Sequence, residues 1–208
     1  MTVVKICGIT NLEDARAAVA AGADALGFNF YKPSPRYITP QHAREIVEQI
    51  PRSVLTVGVF VNEESNSVKA IAHEAGIQAL QLHGDESPAY CRELAANHYV
   101  IKTFAVSDNF DPETPEAYEV EAVMLDTKHN SLRGGTGRVF DWSVAQRLAS
   151  TIPKLFLAGG LSPENIENAI KTVRPYAVDA CSGLEDRPGK KNEERMRVFI
   201  NTVRRVAP

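Results

Sequence analysis

Ala21-Gly22-Ala23-Asp24-Ala25-Leu26 reads as the end of a helix, a glycine that stops it and the start of a strand. Ala75-Gly76-Ile77-Gln78-Ala79-Leu80 reads the same way, so one structural joint is used at least twice. Working outward from these joints, apolar runs bounded by turn residues predict strands over Val3–Cys7, Ala25–Asn29, Leu55–Phe60, Ala79–His83, Val100–Phe104, Ala122–Asp126, Lys154–Ala158 and Ala177–Ala180. Helix starts fall between them: Thr10-x-x-Glu13 as a capping box, and Thr39-Pro40, Ser87-Pro88 and Ser162-Pro163 as cap followed by proline. The segment after the fifth strand carries two prolines and several acidic residues, which predicts a short or irregular helix there. Strict strand–helix alternation makes the strands parallel with right-handed crossovers, and eight such units close a barrel. A doubly wound open sheet is the competing architecture, but no Gly-x-Gly-x-x-Gly follows the first strand. The expected fold is therefore an α/β chain, a (β/α)8 TIM barrel in one compact domain over 1–208.

Composition narrows the function classes. The 208 residues are 44% hydrophobic and 24% charged with a net charge of -3, the balance of a globular chain without the clustered basic face that nucleic acid requires. Cys7, Cys91 and Cys181 are an odd, widely spaced set, which argues against both a disulfide framework and a zinc knuckle and fits a reducing cytoplasm. No run approaches the ~20 apolar residues of a membrane span, so no membrane partner is expected. No histidine–carboxylate cluster has ligand spacing, and a metal-free site is expected.

In such a barrel the loops after the strands share one face, where residues distant in sequence meet. Cys7 ends the first strand in Lys5-Ile6-Cys7-Gly8-Ile9-Thr10, Arg36 lies in the proline-stiffened Ser34-Pro35-Arg36, His83 follows the fourth strand and Asp126 ends the sixth. A thiol in that place is either a buried structural cysteine or a reactive group. Together with Asp126 it supplies one candidate proton acceptor and one donor, the kit for an isomerisation. The turns Gly134-Gly135-Thr136-Gly137, Gly159-Gly160 and Ser182-Gly183 are either routine punctuation or anion-binding nests. Their concentration on the last three units favours a phosphorylated substrate, with a short extra helix adding its dipole. Strand alternation puts Val3, Lys5 and Cys7 on one face. Facing inward, Lys5 needs a carboxylate, either Asp126 or Asp179, and its charge favours thiolate at Cys7. His83 shares a face with Gln81 and either contacts substrate or is a structural histidine.

The blocks Lys5–Thr10, Ser34–Arg36, Val57–Phe60, Gln81–Gly84, Gly134–Gly137 with Phe140-Asp141-Trp142, Leu157–Leu161, and Ser182–Glu185 with Pro188–Lys190 resemble, in order and across the chain, the phosphoribosylanthranilate isomerases of tryptophan biosynthesis. The resemblance implies a cofactor-free Amadori rearrangement with Asp126 as general acid and Cys7 as general base. It further implies that Arg36 holds the anthranilate carboxylate and that the glycine turns hold the phosphate. The candidate substrate-binding set is Arg36, His83, Gly135, Gly137, Gly159, Gly160, Asp179, Ser182 and Gly183. The expected partner is a small phosphoribosyl molecule, and the chain is expected to be a monomer or a homodimer. Two departures stand out. Cys181 replaces a serine the family often carries, and is expected to contribute its backbone; Asn192 replaces a common aspartate, and still suits a helix cap. A phosphosugar isomerase with a carboxylate base and a non-catalytic phosphosugar binder are the alternatives.

Overall fold

The computed structural model of the chain describes residues 1–107, 109–127 and 142–206. Eight parallel strands close into a barrel in sequence order: β1 Val3–Cys7, β2 Ala25–Asn29, β3 Leu55–Phe60, β4 Ala79–Leu82, β5 Tyr99–Val106, β6 Ala122–Thr127, β7 Leu155–Leu157 and β8 Ala177–Ala180, with β8 returning to pair with β1. The helices α1 Leu12–Ala21, α2 Pro40–Val47, α3 Ser65–Ala75, α4 Pro88–Ala95, α5 Trp142–Ala149, α6 Ile166–Val173 and α7 Glu193–Val206 follow strands as the alternation requires. After β5 the helix is reduced to one 3₁₀ turn, Thr114–Ala117, in keeping with its prolines. A small hairpin, β9 Glu185–Arg187 and β10 Lys190–Lys191, sits between β8 and α7.

The two sequence joints are helix stops: Gly22 and Gly76 close α1 and α3 in the left-handed conformation, at φ 99° and 70°. Thr39 and Ser87 cap α2 and α4 with proline in the first turn, as their sequences predict, and Asn192 accepts from the Arg195 amide at the start of α7. Two helix starts differ from expectation. Asn11 rather than Thr10 caps α1, accepting from the Asp14 amide, while the Thr10 hydroxyl instead donates to the Gly189 carbonyl 2.6 Å away. Ser162-Pro163 forms a turn and α6 begins only at Ile166, because the Asn165 side chain bonds back to the Ser162 amide.

Alternation along the strands separates two apolar layers. One lies between barrel and helices; the other fills the barrel with Ala25, Val57, Ala79, Ile101, Ala122, Met124, Phe156, Ala158 and Ala177. Polar residues close the inner layer toward the C-terminal ends of the strands, where Lys5 is fully buried and Gln81 is 1% exposed. On the outer side, Lys102 reaches the Glu86 carboxylate and the Gly84 carbonyl, each at 2.6 Å. Glu86 also accepts from the Asn62 and Gly84 amides, which stiffens the loop that presents His83.

Candidate active site

Cys7 is the last residue of β1, points into the barrel and is almost fully buried. Its register partner on β2 is Gly27, where a Cβ would lie 2.8 Å from the Cys7 sulfur and 3.0 Å from Lys5 Nζ, so only glycine leaves room for this thiol. Lys5 Nζ bonds Asp179 Oδ1 at 2.8 Å across the β1–β8 seam. Of the two carboxylates open to Lys5 from sequence, Asp179 is the one it takes. Burial works to discharge Lys5, but Asp179 and Cys7 outweigh it and hold the ammonium above its ordinary pKa. Burial holds the Asp179 carboxyl up at about 6 despite Lys5.

Cys181 is the second thiol of the site. The β1–β8 ladder pairs Lys5 with Asp179 and Ile6 with Ala180, which brings Cys181 beside Cys7 at its upper end. The thiol itself, and not only the backbone expected from sequence, takes part. The neighbouring Cys181 side chain is the largest influence on Cys7, ahead of opposing burial and of the charges on Lys5 and Lys191, and together they hold Cys7 well below the ordinary thiol pKa; the acceptor of the Cys181 thiol is Glu185 Oε1, 4.0 Å away. The same contact pushes Cys181 the other way, above the ordinary thiol range. Lys5→Met is expected to move the Cys7 pKa upward, since burial would then act with one cation fewer against it. The Cys7 alkylation rate, followed across pH by mass spectrometry, should rise at a higher pH than in the parent protein, with about tenfold less thiolate for each unit of displacement. An unchanged profile would sink this account.

Around the thiols lies an ion network that sequence reasoning did not find. Glu185, the first residue of β9, takes Arg36 Nε and Nη2 in a bidentate grip at 2.8 and 2.7 Å, and also Lys191 Nζ at 3.0 Å. Lys191 is nearly fully buried, with Nζ 3.1 Å from the Cys181 carbonyl oxygen and 3.8 Å from its sulfur. The Glu185 side chain raises the pKa of Arg36 further. Glu185 occupies one edge of the guanidinium, and among the described residues the end carrying Nη1 remains for another anion. Gly8, at φ 76°, permits this crossing: a Cβ there would lie 2.7 Å from Arg36 Cδ. The only sequence signal for Glu185 was the block Ser182–Glu185, which carried no derived role for it, and Lys191 lay just beyond Pro188–Lys190.

On the opposite side, His83 follows β4 and Asp126 lies in β6, both partly exposed, with His83 Nε2 3.2 Å from Asp126 Oδ2. Since all eight strands run parallel, Cys7 and Asp126 occupy the same end of the barrel. After β7, Gly159 and Gly160 take left-handed conformations, at φ 87° and 65°. Ser182 and Gly183 begin a single 3₁₀ turn after β8, shorter than a helix, and a Cβ on Gly183 would collide with the Leu161 carbonyl oxygen, so the loops after β7 and β8 touch. Gly135 and Gly137 lie outside the described residues.

A family profile described as N-(5'phosphoribosyl)anthranilate (PRA) isomerase matches residues 4–202. The chain belongs to this family. The N-(5'-phosphoribosyl)anthranilate isomerase of Thermotoga neapolitana is 49% identical over 204 residues, covering 98% of this chain and 99% of the relative, and that of Thermotoga maritima is 46% identical. The crystal structure of the Thermotoga maritima phosphoribosylanthranilate isomerase superposes with a TM-score of 0.92, covering 98% of this chain and 99% of that one. Another phosphoribosylanthranilate isomerase structure, 44% identical with a TM-score of 0.89, holds reduced 1-(o-carboxyphenylamino)-1-deoxyribulose 5-phosphate. Among the described residues of this isomerase-family chain, no helix is long and apolar enough to cross a membrane.

Proposed function

We propose that Cys7 and Asp126 divide between them the proton transfers of the reaction that gives the family its name. That reaction is the Amadori rearrangement of tryptophan biosynthesis, and as a member of the family this protein is an isomerase. It converts N-(5-phospho-β-D-ribosyl)anthranilate into 1-(2-carboxyphenylamino)-1-deoxy-D-ribulose 5-phosphate. Asp126, in its acid form, gives a proton to the ribose ring oxygen as the bond from that oxygen to the first sugar carbon breaks. The anthranilate nitrogen lone pair closes a Schiff base behind it. The Cys7 thiolate then takes the proton from the second carbon, and the electrons left behind neutralise the iminium nitrogen to give an enolamine. Protonation at the first carbon and loss of the hydroxyl proton at the second yield the ketone. Hydrogens and electrons are only relocated, so the chemistry calls for no external oxidant or reductant.

The observation that carries this reading is a buried thiol packed beside the Lys5 ammonium at the same end of the barrel as a partly exposed carboxylate. The free end of the Arg36 guanidinium suits the anthranilate carboxylate, with its other edge braced by Glu185. The turns at Gly159, Gly160, Ser182 and Gly183 suit the phosphate, and the family resemblance assigns Gly135 and Gly137 to the same end of the substrate. His83 completes the substrate-facing set beside Asp126, and Asp179 serves it from below by holding Lys5. One barrel domain over 1–208 carries these parts. The partner is the small phosphoribosyl molecule. The chain acts as a monomer or a homodimer; the Thermotoga maritima relative is described as dimeric. Cys7 has to stay a free thiol, which suits the reducing cytoplasm.

The direct test mixes the purified protein with N-(5-phospho-β-D-ribosyl)anthranilate and follows its anthranilate fluorescence. The signal is expected to fall with time and in proportion to protein. A constant signal with folded protein would overturn the proposal.

A further inference from the structure

Gln81 lies in β4 two residues before His83 and is 1% exposed. Its Nε2 lies 3.1 Å from His83 Nδ1 and 3.3 Å from Met124 Sδ. Those are two acceptor positions for a group that carries two hydrogens. The reversed amide would set its oxygen against the thioether and leave a two-hydrogen donor unpaired where Oε1 now lies, so the orientation assigned on these contacts has nitrogen toward His83. A donor at Nδ1 makes that ring nitrogen an acceptor, and the single proton of a neutral imidazole is then on Nε2. Nε2 is the atom 3.2 Å from Asp126 Oδ2.

We propose that Gln81 is a positioning residue: by donating to His83 Nδ1 it holds the imidazole in the Nε2–H tautomer, so that His83 donates to the Asp126 carboxylate left behind when the ring oxygen has been protonated. This rests on the acid role given above to Asp126. A hydrogen bond to a carboxylate is worth more than one to its neutral acid, so the contact strengthens as charge develops on Asp126 and stabilises the transition state over the ground state. The opposite tautomer would aim a lone pair at that developing charge and work against it. Gln81 itself meets no substrate. It sits one layer below the rim, and the buried Gln81 Oε1 takes no hydrogen bond among the described residues, so its donor end is the one that is used.

The test reads the tautomer directly by nitrogen-15 NMR of histidine-labelled protein, with His83 assigned by its loss in His83→Asn. In the parent protein Nε2 should be the protonated nitrogen and Nδ1 the bare one; a proton on Nδ1 would overturn the proposal without touching the acid role of Asp126. Gln81→Leu should give a mixture of the two tautomers and lower kcat about tenfold while KM stays within about twofold, the signature of a group that acts through the acid rather than through binding. Gln81→Glu should reverse the tautomer, because a carboxylate can only accept from Nδ1–H. An unchanged kcat in Gln81→Leu would equally overturn the proposal. Should that variant fail to fold, the measurement on the parent protein still decides. Loss of the acid reading has a separate mark, an Asp126→Asn variant of full activity.

Discussion

Cys7→Ala is expected to reduce kcat by about 10²–10⁴-fold, the usual worth of a general base. The reason lies in how much of the barrel serves this sulfur. Gly27 yields the space, Lys5 and Lys191 supply positive charge, and Cys181 stands beside it, all against a burial that favours the neutral thiol. Cys7→Ser keeps nearly the same shape and is expected to be almost as slow, because a hydroxyl in the same place gives up its proton far less readily. The step affected identifies the role. With substrate deuterated at the second sugar carbon, the slow Cys7 variants should show an isotope effect on kcat larger than that of the parent, since removal of that hydrogen becomes limiting. A loss under tenfold would take the role of general base away from Cys7.

Asp126→Asn is expected to cost a comparable factor of about 10²–10⁴ in kcat. The amide has the size of the carboxyl group and can still bond to His83, but it has no acidic proton to give the ribose ring oxygen. Ring opening should then limit turnover, so the same deuterated substrate should show no isotope effect in this variant. The two substitutions therefore separate by isotope response even where their rates coincide. Substrate affinity should change little, because Arg36 and the glycine turns, not Asp126, are assigned to the two ends of the molecule. A full isotope effect in Asp126→Asn would move the acid role to another group, and His83 at 3.2 Å is the nearest candidate.

The barrel was legible in the sequence because its signals are local. A helix stop such as Gly22 or Gly76 depends on one residue's tolerance of positive φ, and a buried strand shows itself as an apolar run a few residues long. Helix starts were less legible where several side chains competed for one amide. Thr10 had the composition of a cap, yet the Gly189 carbonyl, brought in by the hairpin after β8, claimed its hydroxyl and left the cap to Asn11.

The residues along each strand also settle that Lys5 and Cys7 share one face, since side chains alternate with a period of two whatever the rest of the molecule does; that this face is the inward one is read from the structure. Which group meets Lys5, Cys7 and Arg36 is another matter. Asp179 lies 174 positions from Lys5 in the chain, and Glu185 lies 149 from Arg36. Those partners meet only because the eighth strand closes against the first. Periodicity reports the face on which a side chain stands; closure of the sheet decides what stands opposite, and the electrostatics of the thiol follow from that second fact.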